Sequence, residues 1–110
     1  MNMPVYAEQK FMLDQFTGKK ISDAKFYACD FSETDLTETQ FVNCHFWHPD
    51  KQVGCDFSGA TLKEASFVNC DLRRAVTGEL DIRRTNLEGV KIDYEQASSL
   101  LAFLGITVTE

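Results

Sequence analysis

The sequence lacks the features that mark membrane proteins, secreted proteins and several enzyme classes. Its longest apolar run, residues 100–104, is far too short to span a bilayer. The start MNMPVYAEQK has no basic segment followed by an apolar stretch, so we expect no secretory signal. The sequence also contains no CxxC pair, glycine-rich phosphate loop or nucleophile elbow. We therefore expect a cytoplasmic protein without a membrane segment.

Positive charge is scarce as well. The chain has 11 Lys and Arg residues against 17 Asp and Glu residues, which gives a net charge of −6. A nucleic-acid backbone repels such a surface, so direct nucleic-acid binding is disfavoured. Basic proteins, including those that themselves hold DNA, are favoured as partners. The 110 residues fit a single domain.

Large apolar residues recur at every fifth position over most of the chain, a period that matches neither an α-helix nor a flat strand. The residue two before each central position is small, and those between are mostly polar, so each unit reads small, polar, large apolar, polar, polar. After Phe46 the series resumes one position out of phase. Its members are Phe16, Ile21, Phe26, Phe31, Leu36, Phe41, Phe46, then Phe57, Leu62, Phe67, Leu72, Thr77, Ile82, Leu87 and Ile92.

Such a chain turns a corner every five residues, with the large and small side chains pointing inward. Four sides close a square coil, and coils stack at about the spacing of paired strands, ~4.8 Å. Two units that are four units apart in the sequence then lie on the same side of the solenoid, in adjacent coils. This predicts that Phe26 stacks on Phe46, and that Ile21, Phe41, Phe67 and Leu87 form another column.

The stretches ISDAKFYACDFSETDLTETQFVNCHF and CDFSGATLKEASFVNCDLRRA resemble the pentapeptide-repeat family. Within it, FTGKKI, FWHPDKQVGCDFSGA and LDIRRTNLEGVKIDYEQASSLLAFLGI resemble the Qnr group. The resemblance implies an all-β fold, a right-handed quadrilateral β-helix of about four coils with a C-terminal α-helix. The chain departs from the group in length, because Qnr proteins are about twice as long and have a second, longer loop without a counterpart here.

The expected organisation is a single pentapeptide-repeat domain over residues 1–110. Residues 1–15 are predicted to form an N-terminal cap, residues 16–92 the β-helix with a loop at 47–54, and residues 93–110 a C-terminal helix and dimerisation segment. Asp93 and Gln96 form a capping-box pattern, and Gly105 is a natural helix stop. As in Qnr relatives, a two-fold homodimer is expected through the helix and a strand at 106–108, with an interface of Leu100, Leu101, Phe103, Leu104 and Ile106.

The four cysteines all fall at the small inward position of a repeat. Buried cysteine behaves as a small hydrophobic residue, so Cys29, Cys44, Cys55 and Cys70 are predicted to be packing residues. Cys44, His48 and Cys55 are the nearest approach to a metal-ligand set, and the repeat frame argues against it. Paired carboxylates on a convex, solvated surface have no cleft to shift their pKa values. We expect no catalytic residues, no metal and no cofactor, and hence not an enzyme.

The interval between Phe46 and Phe57 is six residues longer than one unit. Solenoid insertions emerge as loops, often on the binding face. Trp47, the only tryptophan, either covers a neighbouring coil or contacts a partner. By resemblance, the loop at this place engages the topoisomerase in Qnr proteins. The predicted partner-binding residues are Trp47, His48, Pro49, Asp50, Lys51, Gln52 and Val53.

No Lys or Arg occurs between Phe26 and Asp50, whereas acidic residues at outward positions are frequent. These charges either only solvate the solenoid or, as the resemblance implies, imitate the phosphate pattern of duplex DNA. The basic cluster of Arg73, Arg74, Arg83 and Arg84 would confine mimicry to the first coils. The predicted acidic face consists of Asp30, Glu33, Asp35, Glu38, Asp56 and Asp71.

Two functions follow from these patterns. The first is a DNA-mimicking module that binds DNA gyrase or topoisomerase IV and protects it from quinolones, as the resemblance implies. The alternative is a pentapeptide-repeat scaffold or interaction protein without protecting activity.

Overall fold

The chain is a stack of coils whose backbones pair in parallel. The computed structural model describes residues 3–77, 80, 83–102 and 104–109. Its elements are β1 (Val5–Ala7), β2 (Lys20–Ser22), β3 (Lys25–Tyr27), β4 (Gln40–Val42), β5 (Trp47–His48), β6 (Val53–Gly54), β7 (Ser66–Val68) and helix α1 (Tyr94–Ala102). Strand β1 pairs with β3, and β4 lies between β2 and β7 in a second parallel sheet.

The pairing register shows that one coil takes four five-residue units. Tyr6 pairs with Phe26 and Ile21 with Phe41, so partners lie 20 residues apart. Phe41 pairs with Phe67, 26 residues on, because the intervening coil contains the six-residue interruption. A bridge between Ser66 and Asn86 restores the 20-residue step. The predicted repeat and the column from Ile21 to Leu87 are therefore confirmed.

The interior is a shaft of stacked phenylalanine rings. Phe26 lies on Phe46 with ring centroids 5.1 Å apart and planes at 6°, as predicted. Phe31 stacks on Phe57 at 4.7 Å, and Phe41 on Phe67 at 5.3 Å. Rings on adjoining sides meet edge to face, an arrangement that the aromatic quadrupole favours. The small positions fill the space between the rings and are buried, as the repeat predicted, at Ala24, Cys29, Thr34, Thr39, Cys44, Cys55, Ala65, Cys70 and Ala75.

A β-turn forms many of the described corners. There the carbonyl of the central residue accepts a hydrogen bond from the N–H three residues later, as the Leu36 carbonyl does from the Thr39 N–H at 3.0 Å. The residue two positions after the central one has a left-handed backbone conformation, with φ of 58° at Glu33 and 57° at Glu38. This is the pattern of a type II turn, in which a non-glycine residue adds strain at that position.

The N-terminal segment builds a coil of its own. Tyr6 stacks on Phe26 at 4.9 Å, and Phe11 is buried with its ring 4.7 Å from Phe31. Asp35 donates its N–H to the carbonyl of Leu13 at 2.7 Å. The described part of residues 1–15 thus pairs with the following coil as a turn of the solenoid, at the place where we expected an N-terminal cap.

The other end is covered by helix α1. The Asp93 side chain accepts the Gln96 N–H at 3.0 Å, and the Gln96 side chain accepts the Asp93 N–H at 2.9 Å. This reciprocal pair confirms the predicted capping box. Gln96 also donates to the carbonyls of Leu72 and Ala75, which fixes the helix on this end of the solenoid. Gly105 is left-handed with φ of 75° just after the helix, as a C-terminal stop requires.

Residues 106–108 have no strand partner among the described residues of the single chain, and the strand expected there stays part of the predicted dimer. Of the predicted repeat centres, Ile82 lies outside the described residues. Within the described part of the chain, no helix has both the length and the apolar character needed to cross a bilayer.

Candidate functional site: a hairpin seated on the adjoining coil

The interruption after Phe46 folds as a β-hairpin. Strands β5 and β6 pair antiparallel, with Trp47 opposite Gly54 and His48 opposite Val53. The carbonyl of His48 accepts the Gln52 N–H at 2.8 Å, and Gln52 is left-handed with φ of 53°. These contacts close a tight turn over residues 49–52. The insertion that the sequence predicted therefore has a defined conformation at one corner of the solenoid.

Trp47 lies under an arginine of the next coil. The Arg73 guanidinium carbon is 5.5 Å from the centroid of the indole ring, within cation–π range. Arg73 in turn donates to both carboxylate oxygens of Asp71, with Nη2 to Oδ2 at 2.6 Å and Nε to Oδ1 at 3.0 Å. The indole is half-buried by this contact, so it packs on the neighbouring coil, the simpler of the two interpretations of this residue.

Gly54 allows the hairpin to approach that coil closely. A Cβ atom at this position would lie 2.4 Å from the carbonyl carbon of Arg74 and 2.5 Å from the nitrogen of Ala75. Both neighbours are backbone atoms, which cannot move aside as the end of a flexible side chain can. Glycine is thus required here for close packing.

His48 holds the other edge of the hairpin. Its ring centroid is 4.4 Å from that of Tyr27, which belongs to the preceding coil. The hairpin therefore contacts the coils on both sides of its own. Of the residues predicted to bind a partner, Trp47 and His48 are half-buried in these contacts, whereas the exposed ones are Pro49, Asp50, Lys51, Gln52 and Val53. We call residues 49–53 the hairpin tip.

The structure distributes the predicted acidic residues over several sides. Asp30 and Asp56 stack in one column, and Asp35 lies on the next side, paired with Thr61. Glu33 and Glu38 are exposed at the two corners that flank the side of Asp35. These five carboxylates lie on two adjoining sides and two corners, and we call them the acidic strip; Lys10 of the first coil approaches Asp30 at 3.6 Å.

The aspartates of this strip also hold the turns. In each case the side chain accepts the N–H of the residue two positions on, at 2.8 Å from Ser32 to Asp30 and 3.0 Å from Thr37 to Asp35. The hydroxyl and N–H of Thr37 lower the pKa of Asp35, and those of Ser32 do the same for the pKa of Asp30. These carboxylates therefore stay ionised and have a structural role independent of any partner.

Asp71 is separated from that strip. It is buried, lies in the column of His45 and Lys91, and is bonded to Arg73, the arginine that covers Trp47. Burial raises the pKa of Asp71. The hydrogen bonds from Arg73 and the charges of Arg73 and Lys91 lower it by more, so the pKa of Asp71 lies below its ordinary value. Asp71 is thus a partner of Arg73 and is not brought together with the other predicted acidic residues.

Glu64 extends the strip and was missed by sequence reasoning. Glu38 donates its N–H to the carbonyl of Lys63 at 3.0 Å, which places Glu64 next to Glu38 in one corner column. Both are left-handed and exposed, and Arg84 approaches Glu64 at 3.6 Å from the following coil. The signal was present in the sequence, because 38 and 64 differ by the same 26 residues as Phe41 and Phe67.

The cysteines form two stacked pairs inside the shaft. Cys29 lies under Cys55 and Cys44 under Cys70, and all four are buried, as predicted. The hydrogen bond from Cys55 lowers the pKa of Cys29 to about 7, whereas that same bond and burial raise the pKa of Cys55. Among the described residues, no group of three or more metal-ligating side chains converges.

The predicted dimer residues lie at the helix-covered end. Leu100 and Leu101 are half-buried along a groove that Leu87 and Ile92 of the last coil also line. Leu104 and Ile106 are each 48% exposed. Phe103 lies outside the described residues. An apolar edge is therefore left uncovered in the single chain.

Fold and surface together define a parallel solenoid of five-residue units with one hairpin inserted at a corner. The sequence pattern described as "Pentapeptide repeat region" matches residues 15–96, and the chain belongs to the pentapeptide repeat family. The quinolone resistance pentapeptide repeat protein QnrB96 of Scandinavium goeteborgense is 42% identical over 92 residues, which are 84% of this chain and 40% of that protein. The chain thus spans about two fifths of this relative's length.

Solved structures of two repeat proteins also align. Full-length QnrB1, a plasmid-mediated fluoroquinolone resistance protein, is 21% identical with a TM-score of 0.49, over 96% of this chain and 99% of that chain. Rfr23, a pentapeptide repeat protein of the cyanobacterium Cyanothece 51142, is 19% identical with a TM-score of 0.37, over 84% and 83% of the two chains.

Proposed function

We propose that this chain is a DNA-mimicking binding module that docks on DNA gyrase or topoisomerase IV in the cytoplasm and protects the enzyme from quinolones. The observation that carries the proposal is the 42% identity to QnrB96, a quinolone resistance protein. The module acts by binding alone, without catalysis or a cofactor. Its partner is a protein whose own surface holds DNA, which suits the net charge of −6.

The architecture that we propose for this role is a right-handed, four-sided β-helix. Four units to each coil support the square cross-section, since every unit makes one corner. Residues 47–54 form the inserted loop, and residues 93–110 form the C-terminal segment of the single domain. A rigid rod of this kind holds surface charges at fixed spacings, as mimicry of a duplex requires.

Two surfaces are proposed to contact the topoisomerase. One is the hairpin tip, whose residues are exposed at a corner. The other is the acidic strip, with Glu33 and Glu38 at its corners and Glu64 as an extension. Asp71 is left out of this surface because it is buried and bonded to Arg73.

The test is gyrase supercoiling at a fixed quinolone dose, with the protein added over a range of concentrations. We expect supercoiling to recover, and the double variant Glu38→Gln, Glu64→Gln to require roughly tenfold more protein, because long-range attraction to a basic surface is weakened. Glutamine is the substitution of choice, since glycine would also relieve the left-handed backbone at both positions. Glu88→Gln, an exposed charge on another side, is the matched control and should behave as the unchanged protein.

A second candidate function is a pentapeptide-repeat scaffold that protects no topoisomerase. It is favoured by the aspartates of the acidic strip, whose side chains hold the turns and so have a structural role without any partner. Failure of the unchanged protein to restore supercoiling at any concentration would support the scaffold and overturn the protecting function.

We also propose that the module is a homodimer through its C-terminal segment. The support is the apolar edge of Leu100, Leu101, Leu104 and Ile106, beside which Phe103 follows in the sequence. Sedimentation velocity should show a dimer for the unchanged protein and a monomer for Leu101→Asp, because a charge cannot be buried there without a partner. Ser98→Asp, on an exposed position of the same helix, should remain dimeric. A dimer that survives Leu101→Asp contradicts this interface.

A further inference from the structure

The hairpin is held in place by side chains of two neighbouring coils. Arg73 lies over the Trp47 ring at 5.5 Å, and Tyr27 contacts the His48 ring at 4.4 Å. Gly54 sits against the backbone of Arg74 and Ala75 with no room for a side chain. Three independent contacts therefore fix the base of the hairpin, whereas the tip at residues 49–53 extends freely into solvent.

Arg73 is itself held by a buried carboxylate. Its guanidinium makes a two-pronged contact with Asp71, and its own N–H also donates to Asp71 at 3.1 Å. A planar guanidinium bound in this way loses most of its freedom to rotate. The face that it presents to Trp47 is consequently fixed before any partner arrives. Asp71, Arg73 and Trp47 form one chain of contacts, which we call the latch.

We infer that Arg73 and Asp71 are positioning residues, which latch the hairpin through Trp47 and so present its tip to the partner in one conformation. This inference rests on the proposed function in so far as it assigns the tip a partner. The tip then makes the direct contacts, and the latch residues act through it. An unlatched hairpin would occupy the competent conformation only part of the time, and affinity would fall by that fraction.

Trp47 is the only tryptophan, so its fluorescence reports the latch directly, without any partner. We expect Arg73→Met and Asp71→Asn to shift its emission to longer wavelength and to raise acrylamide quenching about twofold, since the indole loses its cover. Arg73→Lys keeps the charge but not the planar fork, and should lie between Arg73→Met and the unchanged protein. Lys20→Met, which removes an exposed positive charge from β2, is the control and should leave emission unchanged.

The second measurement is the affinity of each variant for purified gyrase, with thermal unfolding recorded to show that each is folded. We expect Arg73→Met to weaken binding roughly three- to tenfold through the lost preorganisation. The double variant Asp50→Ala, Lys51→Ala removes charges from the tip and should weaken binding without changing Trp47 emission.

These outcomes distinguish the latch and its positioning role from the proposed function. Unchanged acrylamide quenching in Arg73→Met overturns the latch, whatever the affinity of that variant for gyrase. Increased quenching with unchanged affinity, while the tip variant binds more weakly, overturns the positioning role and leaves the proposed function standing. If the unchanged protein does not bind gyrase at all, the proposed function fails, and the fluorescence arm still decides whether the latch exists.

Discussion

Phe41→Ala is expected to lower the free energy of unfolding by about 3–5 kcal/mol, the cost of removing a large aromatic side chain from a packed core. Phe41 is fully buried, stacks on Phe67 at 5.3 Å and meets Phe46 edge to face at 5.2 Å. Its neighbours in the column, Ile21 and Phe67, are fixed by strand pairing, so they cannot collapse into the space. A cavity would remain at the centre of the shaft.

Urea unfolding, followed by far-ultraviolet circular dichroism, measures this effect. Met12→Ala is the control, because Met12 is 72% exposed on the first coil and its truncation should change the free energy of unfolding by less than about 0.5 kcal/mol. Equal unfolding midpoints for the two variants would show that the phenylalanine column is not the source of stability.

Gly54→Ala is expected to cost about 1–3 kcal/mol and to displace the hairpin, since a Cβ atom there would lie 2.4 Å from backbone of Arg74. Either the hairpin or the adjoining coil must then move. Because Trp47 pairs with Gly54, the indole should leave Arg73 and its emission should shift to longer wavelength.

Gly18→Ala is the matched comparison for this glycine. Gly18 is left-handed with φ of 69° and has no other atom within 4 Å of its added Cβ. The substitution there adds only backbone strain, about 1 kcal/mol, and should leave Trp47 fluorescence unchanged. If both variants shift the emission alike, close approach of the hairpin is not what Gly54 provides.

The repeat was readable from sequence because each unit obeys the same rule. A large residue every five positions, with a small one two before it, determines which side chains point inward. Ring stacking at Phe26 and Phe46 follows from counting alone. The first coil could have been found in the same way, since Tyr6, Phe11 and Phe16 keep the five-residue spacing. The expectation of a cap came instead from the unpaired strand edges of an open solenoid, whose ends need to be covered.

Contacts between coils at the interruption were harder to predict. The repeat alone does not tell which atoms of an inserted segment meet the next coil, so the Arg73–Trp47 contact was not foreseen. Asp71 appeared equivalent to Asp30 and Asp56 because all three precede a central residue. Only the structure shows that Asp71 is buried and paired with Arg73, the arginine that covers Trp47.

The placement of the hairpin at a corner has a consequence for how such a chain tolerates changes in length. The six extra residues do not disturb the pairing register between coils on either side, since Phe41 still pairs with Phe67 and Asp30 still pairs with Asp56. One residue added within a side would instead turn every later inward group outward until the next correction. Insertions and deletions in the chain are therefore tolerated as whole coils of twenty residues. They are also tolerated as loops that begin and end at the same corner of the solenoid.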